Sequence, residues 1–199
     1  MYGWLDTFSC APRAWFAEPG ERYVCVAASA LARWLPLLGC VLYVPACREA
    51  EAPVQWPDGL LSESLWLAPL LRTRRLRVLG MVGADGPREW IECLDGRDGI
   101  LAQLHLLPDT DYLAWDNLPD PSRGVASLPG HGRPRLFRGA AAHLMRFRCQ
   151  SLANILCLGE AAPPRISPLG RVIAQAIAGT RPLLLQGRPM LPQGREEKG

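Results

Sequence analysis

The chain is poor in histidine and almost devoid of lysine. Only His105, His131 and His143 occur in 199 residues, and Lys198 is the single lysine in an otherwise arginine-based set of cations. Imidazole is the usual general base and metal ligand near neutral pH, so any such chemistry must use one of three positions. Charge of one sign is also lacking. The balance of 22 basic against 19 acidic residues is too even to draw the chain to nucleic acid. No CxxC pair is present, which removes the spacing of a zinc site or a redox dithiol. There is no GxSxG elbow, HExxH, P-loop or GxGxxG, and so no signature of a hydrolase, a metalloprotease or a nucleotide-binding enzyme. Long apolar runs are missing too, because Arg33, Pro36 or Gly39 interrupts the longest of them. The opening MYGWLDTFSC has neither a basic leader nor an apolar core. We therefore expect no signal peptide, no membrane span and a cytoplasmic location.

What is present is ample apolar material, 49% of residues, enough for a substantial buried core. Seven scattered cysteines in apolar surroundings read as reduced core residues. The best-ordered stretch is WIECLDGRDGILAQLHLLPDTDYLAW, from Trp90 to Trp115. Two apolar runs flank a turn with two glycines in five residues, which predicts a β-hairpin. The group Pro108-Asp109-Thr110-Asp111 then offers side-chain oxygens to the free N–H groups of a helix whose apolar face is Tyr112, Leu113, Trp115 and Leu118.

Around this stretch the spacing predicts a helix over 23–38 stopped by Gly39, a strand over 40–44, and a polar loop over 46–59. Residues 60–71 fit a strand or a short helix, and 76–82 a strand, with a turn at 84–87. Further helices are expected over 137–158, stopped by Gly159, and from the Ser167-Pro168 cap to about Ala178. The fold class is α+β, an antiparallel meander sheet with flanking helices and a helical C-terminal segment. Residues 1–118 form the α+β unit and begin with an arm pinned by aromatics. Residues 119–137 are a Pro/Gly-rich linker, 138–180 a helical segment packed on the sheet, and 181–199 an extended tail.

Chemistry-bearing groups are few. Strand alternation puts His105 on a face with Gln103 and Leu107, opposite Leu104 and Leu106. There it either ligates heme iron or is a hydrogen-bonded core residue. His143, on the expected 137–158 helix, has the same two readings, and His131 between glycines is a solvated loop residue. The pairs Asp95/Asp98 and Asp109/Asp111 are explained by turn and capping chemistry rather than acid–base catalysis. Arg72, Arg74, Arg75 and Arg77 form the sole basic cluster, which either faces a carboxylate-bearing ligand or protects a sheet edge with charge.

The order of these elements resembles one repeat of the bacterial hemin-degrading and hemin transport proteins of the cytoplasm. The resemblance rests on Trp34-Leu35-Pro36-Leu37-Leu38-Gly39 before a strand, on an Arg-rich strand over 71–79, and on Trp90, Asp95-Gly96, Gly99, His105-Leu106, Asp109-Thr110-Asp111 and Ala114-Trp115 in that order. It spans residues 28–118. It implies a curved antiparallel sheet that binds or handles heme, with heme as cofactor and a heme transporter or another protein as partner. The chain departs from the family in two ways. Members carry two repeats, and where the family has an axial histidine this sequence has Pro45-Ala46-Cys47-Arg48-Glu49-Ala50. The resemblance thus leaves the iron to His105, His143 or Cys47, with His105 the first choice, and the propionates to Arg75 and Arg77. It also leaves two alternatives. One is a scaffold that has lost the cofactor and works by protein–protein contact; the other is an enzyme that breaks the porphyrin ring, for which no site residue can be named.

Overall fold

The structure is a computed structural model that describes residues 22–47, 57–83, 86–118, 137–162, 165–179 and 182–185. The aromatic arm, the polar loop, the 84–87 turn and the Pro/Gly-rich linker lie outside the described residues except at their ends. So do Cys10, His131 and most of the 181–199 tail.

Strands dominate, with a few short helices. The described residues open on β1 (Arg22–Cys25), where a helix is expected. Tyr23, Val24 and Cys25 pair antiparallel with a later strand, and the helix α1 (Ala28–Trp34) starts only after Ala27, which is still extended. The expected helix therefore holds from Ala28 onward, and the segment before it is a correction: sheet pairing outweighs helical spacing there. A 3-10 turn, Leu35–Leu38, continues α1 and ends at Gly39. Gly39 has φ +68° and ψ −132°, a region in which a Cβ is strained. Gly39→Ala is expected to cost about 2 kcal/mol, read as a lower urea midpoint at unchanged slope.

The next strand, β2 (Val41–Pro45), is buried along its whole length. It lies between two antiparallel neighbours with both of its faces covered, which accounts for its uninterrupted apolar sequence. Residues 60–71 divide between the two alternatives, with β3 (Leu60–Ser62), a 3-10 turn Leu65–Leu67 and α2 (Ala68–Leu71) in succession. Then β4 (Arg75–Gly83), β5 (Gly86–Leu94) and β6 (Ile100–His105) form the consecutive antiparallel run. The turn between β5 and β6 is held by Asp95, whose Oδ1 accepts the N–H groups of Arg97 and Gly99 at 2.7 and 2.8 Å. The short helix α3 (Tyr112–Asp116) is capped by Asp111, which accepts from Ala114 N at 2.9 Å. Of its expected apolar face only Trp115 and Leu118 are buried, while Tyr112 and Leu113 face solvent.

The 137–158 segment is the main correction, because it contains strands and no helix. β7 (Ala142–Met145), β8 (Phe147–Leu152) and β9 (Ile155–Glu160) follow one another. Leu152 pairs with Ile155 across a two-residue turn, in which Ala153 and Asn154 have φ +44° and +66°. Two positive-φ residues make the turn whose twist suits a hairpin. Leu152 and Ile155, which mimic a helical i, i+3 pair, instead flank that turn and are exposed. The last helix is as expected: α4 (Pro168–Ala178) is capped by Ser167, whose Oγ accepts from Gly170 N at 3.0 Å. β10 (Leu183–Leu185) falls within the expected tail.

The larger sheet has the order β1-β4-β5-β6-β2-β7-β10, and the smaller β3-β9-β8. The β7–β10 and β3–β9 pairs are parallel, so both sheets are mixed and the meander is confined to β4–β5–β6. The alternation of β2 divides the core. Val41 and Tyr43 enter a large cluster with α1, α2 and the smaller sheet, while Leu42 and Val44 enter a second one with Ala174 and Ala178 of α4. No helix among the described residues is long and apolar enough to cross a membrane. The six described cysteines are all free. Cys40 and Cys93 are buried, and burial raises their thiol pKa values to about 11 and about 12. Cys25, Cys149 and Cys157 are half-buried, and Cys47 is exposed, contrary to its reading as a core residue.

Candidate functional site

Cross-strand partners in a sheet share a face, and consecutive residues of a strand take opposite faces. Leu42 pairs with His105 and Tyr43 with His143. The two histidines therefore lie on opposite faces of the larger sheet and cannot ligate one iron. His105 shares its face with Gln103, and alternation continues past the strand end, where Leu106 packs in the first cluster and Leu107 in the second.

On the His105 face a polar row crosses four strands through Tyr23, Arg77, Glu92 and Gln103. Arg77 Nε donates to Glu92 Oε2 at 2.8 Å, and Nη2 donates to the same oxygen. Arg77 Nη1 reaches Tyr23 Oη at 3.4 Å, and Gln103 Nε2 donates to Glu92 Oε1 at 3.0 Å. The Arg77 and Glu92 side chains are only 12% and 6% exposed. Desolvation works against the guanidinium charge, but the hydrogen bonds to Tyr23 and Glu92 outweigh it and leave the pKa of Arg77 above the ordinary arginine value.

One step along the same face is the row Leu79, Trp90 and His105. The Trp90 and His105 rings lie 6.3 Å apart at an interplanar angle of 27°. Arg75, two residues before Arg77, pairs with Asp98 of the β5–β6 turn. The second core cluster draws on β2, β7 and α4 and includes no residue of β4 or β5. Arg75, Arg77 and Trp90 thus come from strands that contribute nothing to the second cluster, and His105 borders it, opposite Leu42.

The other two expected iron ligands do not join them. Cys47 is exposed past the end of β2, five residues from the partner of His105, or about 16 Å along the strand. His143 is a strand residue and belongs to the core. It is 5% exposed and stacks on Trp66 at 4.2 Å and 4°. Tyr43 lies 6.1 Å away and donates its hydroxyl to Trp66 O at 2.8 Å. Burial lowers the His143 pKa to about 4, so the ring is neutral, and its Nδ1 has no hydrogen-bond partner among the described residues. Nothing in sequence spacing brings Tyr43, Trp66 and His143 together, because each comes from a different element.

The acidic pairs behave as turn and capping groups. Asp109 accepts from Ser167 N and Ser167 Oγ, both at 2.8 Å, and Asp111 caps α3. No group of three or more His, Cys, Asp or Glu suited to a metal ion exists among the described residues. No protein-family model matches the chain, and no curated protein matches it.

Proposed function

We propose that this chain is a non-catalytic heme-binding or heme-handling protein of the cytoplasm, with His105 as the iron ligand. The observation that carries the reading is the placement of His105, Trp90 and Arg75 on one sheet face, with His105 at the border of the α4 cluster. An imidazole, an indole face and a guanidinium are the groups that a flat apolar ring with an iron centre and two carboxylates calls for. Of the three candidate ligands His105 alone would hold the iron on this face, since His143 is on the opposite face and Cys47 is remote. Of the two arginines, Arg77 is already committed to Glu92. Arg75, with 26% of its side chain exposed beside a partly exposed Asp98, is the one a propionate can recruit. Bound heme would supply the iron and the absorbing macrocycle, while the chain orients it and pairs its charge.

The experiment is a hemin titration of the purified full chain. A Soret shift that saturates at one hemin per chain is expected. His105→Ala changes its position or abolishes it, His143→Phe leaves it in place, and Arg75→Gln weakens binding about 10-fold. Absence of a saturable shift overturns the reading. Bleaching of the bound chromophore by a reductant would instead assign ring cleavage.

A second reading, a scaffold working through protein contact, is favoured by Met81 and Val82. These neighbours near the end of β4 are 54% and 80% exposed, one on each face of the sheet, so a partner that wraps this end of the β4–β5 hairpin would cover both. In that case hemin leaves the spectrum unshifted, and Met81→Ser/Val82→Ser disrupts a complex detectable by sedimentation.

A further inference from the structure

Away from the His105 face, a cleft of about 630 Å³ opens at the corner where the 3-10 turn meets β2. Pro36, Leu37, Gly39 and Cys40 form one side, the 108–111 turn another, and two arginines from separate elements complete the lining. Arg146 sits between β7 and β8, and Arg165 lies just before the cap of α4. Both are exposed. Neither forms an ion pair with a described residue, whereas Arg75, Arg77 and Arg148 each do.

Most of the remaining polar groups of the lining are already engaged. Asp109 spends one oxygen on Ser167 N and the other on Ser167 Oγ. Asp111 Oδ1 takes the Ala114 N–H, and the Thr110 hydroxyl donates to Cys40 O at 2.6 Å while accepting from Leu107 N at 2.9 Å. Both carboxylates thus face helix N-termini, where N–H groups and the helix dipole offset part of their charge. The Cys40 thiol responds to Asp109 and, in the opposite sense, to Arg146, which places the Arg146 charge within reach of the cleft floor. Besides Asp111 Oδ2, what the described hydrogen bonds leave uncommitted is a pair of guanidinium groups, five N–H donors each and no acceptor.

We infer that this cleft binds a small soluble oxyanion, a phosphate or carboxylate group held between Arg146 and Arg165. Bidentate guanidinium pairing supplies the selectivity. The inference is independent of heme, because none of its residues lies in the Trp90–His105 row.

The test is a titration of the full chain with inorganic phosphate and, separately, with succinate, followed by amide chemical shifts at low ionic strength. Saturable shifts are expected for the backbone of residues 39–40, 108–111 and 165–167. Arg146→Gln or Arg165→Gln should each weaken binding about 10-fold, and the double variant about 100-fold. Both side chains are exposed, so the variants should retain the fold, and unchanged shifts elsewhere check this. His105→Ala should leave the affinity as it is, which separates the cleft from the heme reading. Saturation by phosphate alone assigns a phosphorylated ligand class, by succinate alone a carboxylate class, and by both the shared oxyanion chemistry. No saturation up to about 10 mM, or binding that survives in the double variant, overturns the inference.

Discussion

Glu92→Leu is expected to destabilise the protein by about 3–5 kcal/mol, the cost of leaving a buried charge without its partner. Glu92 takes hydrogen bonds from Arg77 on one strand and Gln103 on the next, so one substitution strips donors on both sides. Arg77 then loses its carboxylate partner in a position with little access to water. Arg77→Met alone is expected to be comparably damaging, since it leaves the carboxylate with only the amide of Gln103. The double variant Arg77→Met/Glu92→Leu is expected to recover most of the loss, because the desolvation of two ions disappears together with their attraction. Urea unfolding of the four proteins gives the coupling. If either single variant unfolds at the wild-type midpoint, the row is a solvated surface pair and not a buried one.

Acid is expected to weaken the fold through His143. The unfolded imidazole takes up a proton near its ordinary pKa of 6.5, and the folded one only at about 4. Between those values the unfolded state holds more protons, so stability falls as pH falls. The contribution is complete above pH 6.5. It drops by about 1.4 kcal/mol per pH unit on the way down and reaches a loss of about 3 kcal/mol near pH 4. The cause is burial: the ring is packed against Trp66 and Tyr43. His143→Phe keeps an aromatic ring on Trp66 and removes the titration. The difference in stability between the two proteins, followed from pH 7.5 to 4, should therefore trace a single histidine. A flat difference would show that His143 titrates equally in both states.

These two residues show where sequence reading succeeds and where it stops. Glu92 and Arg77 stand in segments whose strand character is plain, yet their pairing depends on the register of β4 against β5, which places Arg77 opposite Glu92. His105 is placed on its correct face by alternation alone, because the hairpin turn at Asp95 fixes the strand that follows. His143 is misassigned because apolar residues in the 137–158 segment satisfy a helical period and a hairpin equally well. The decision falls to Ala153 and Asn154, whose positive φ values turn the chain back. No local rule marks Ala153 for that role.

The candidate sites divide in the same way. Asp111 and Ser167 are legible as caps because their partners lie three residues away in the chain. The tie between Asp109 and Ser167 crosses 58 residues and has no local signature. The cleft with Arg146 and Arg165 is likewise invisible until the β7–β8 junction and the start of α4 converge on the Gly39 corner.

The amino-acid order by itself determined the β5–β6 hairpin, the caps of α3 and α4, the break at Gly39 and the mixed α and β content, since each depends on interactions between residues a few positions apart. Tertiary structure alone decided that β2 would be flanked by β6 and β7, that His105 and His143 would be separated by the thickness of a sheet, and which arginines would be left without an acidic partner. The physical reason is that side-chain period and turn chemistry act over a few residues, whereas strand order and face assignment follow from burying both sides of β2 at once, a condition that only distant segments can satisfy together.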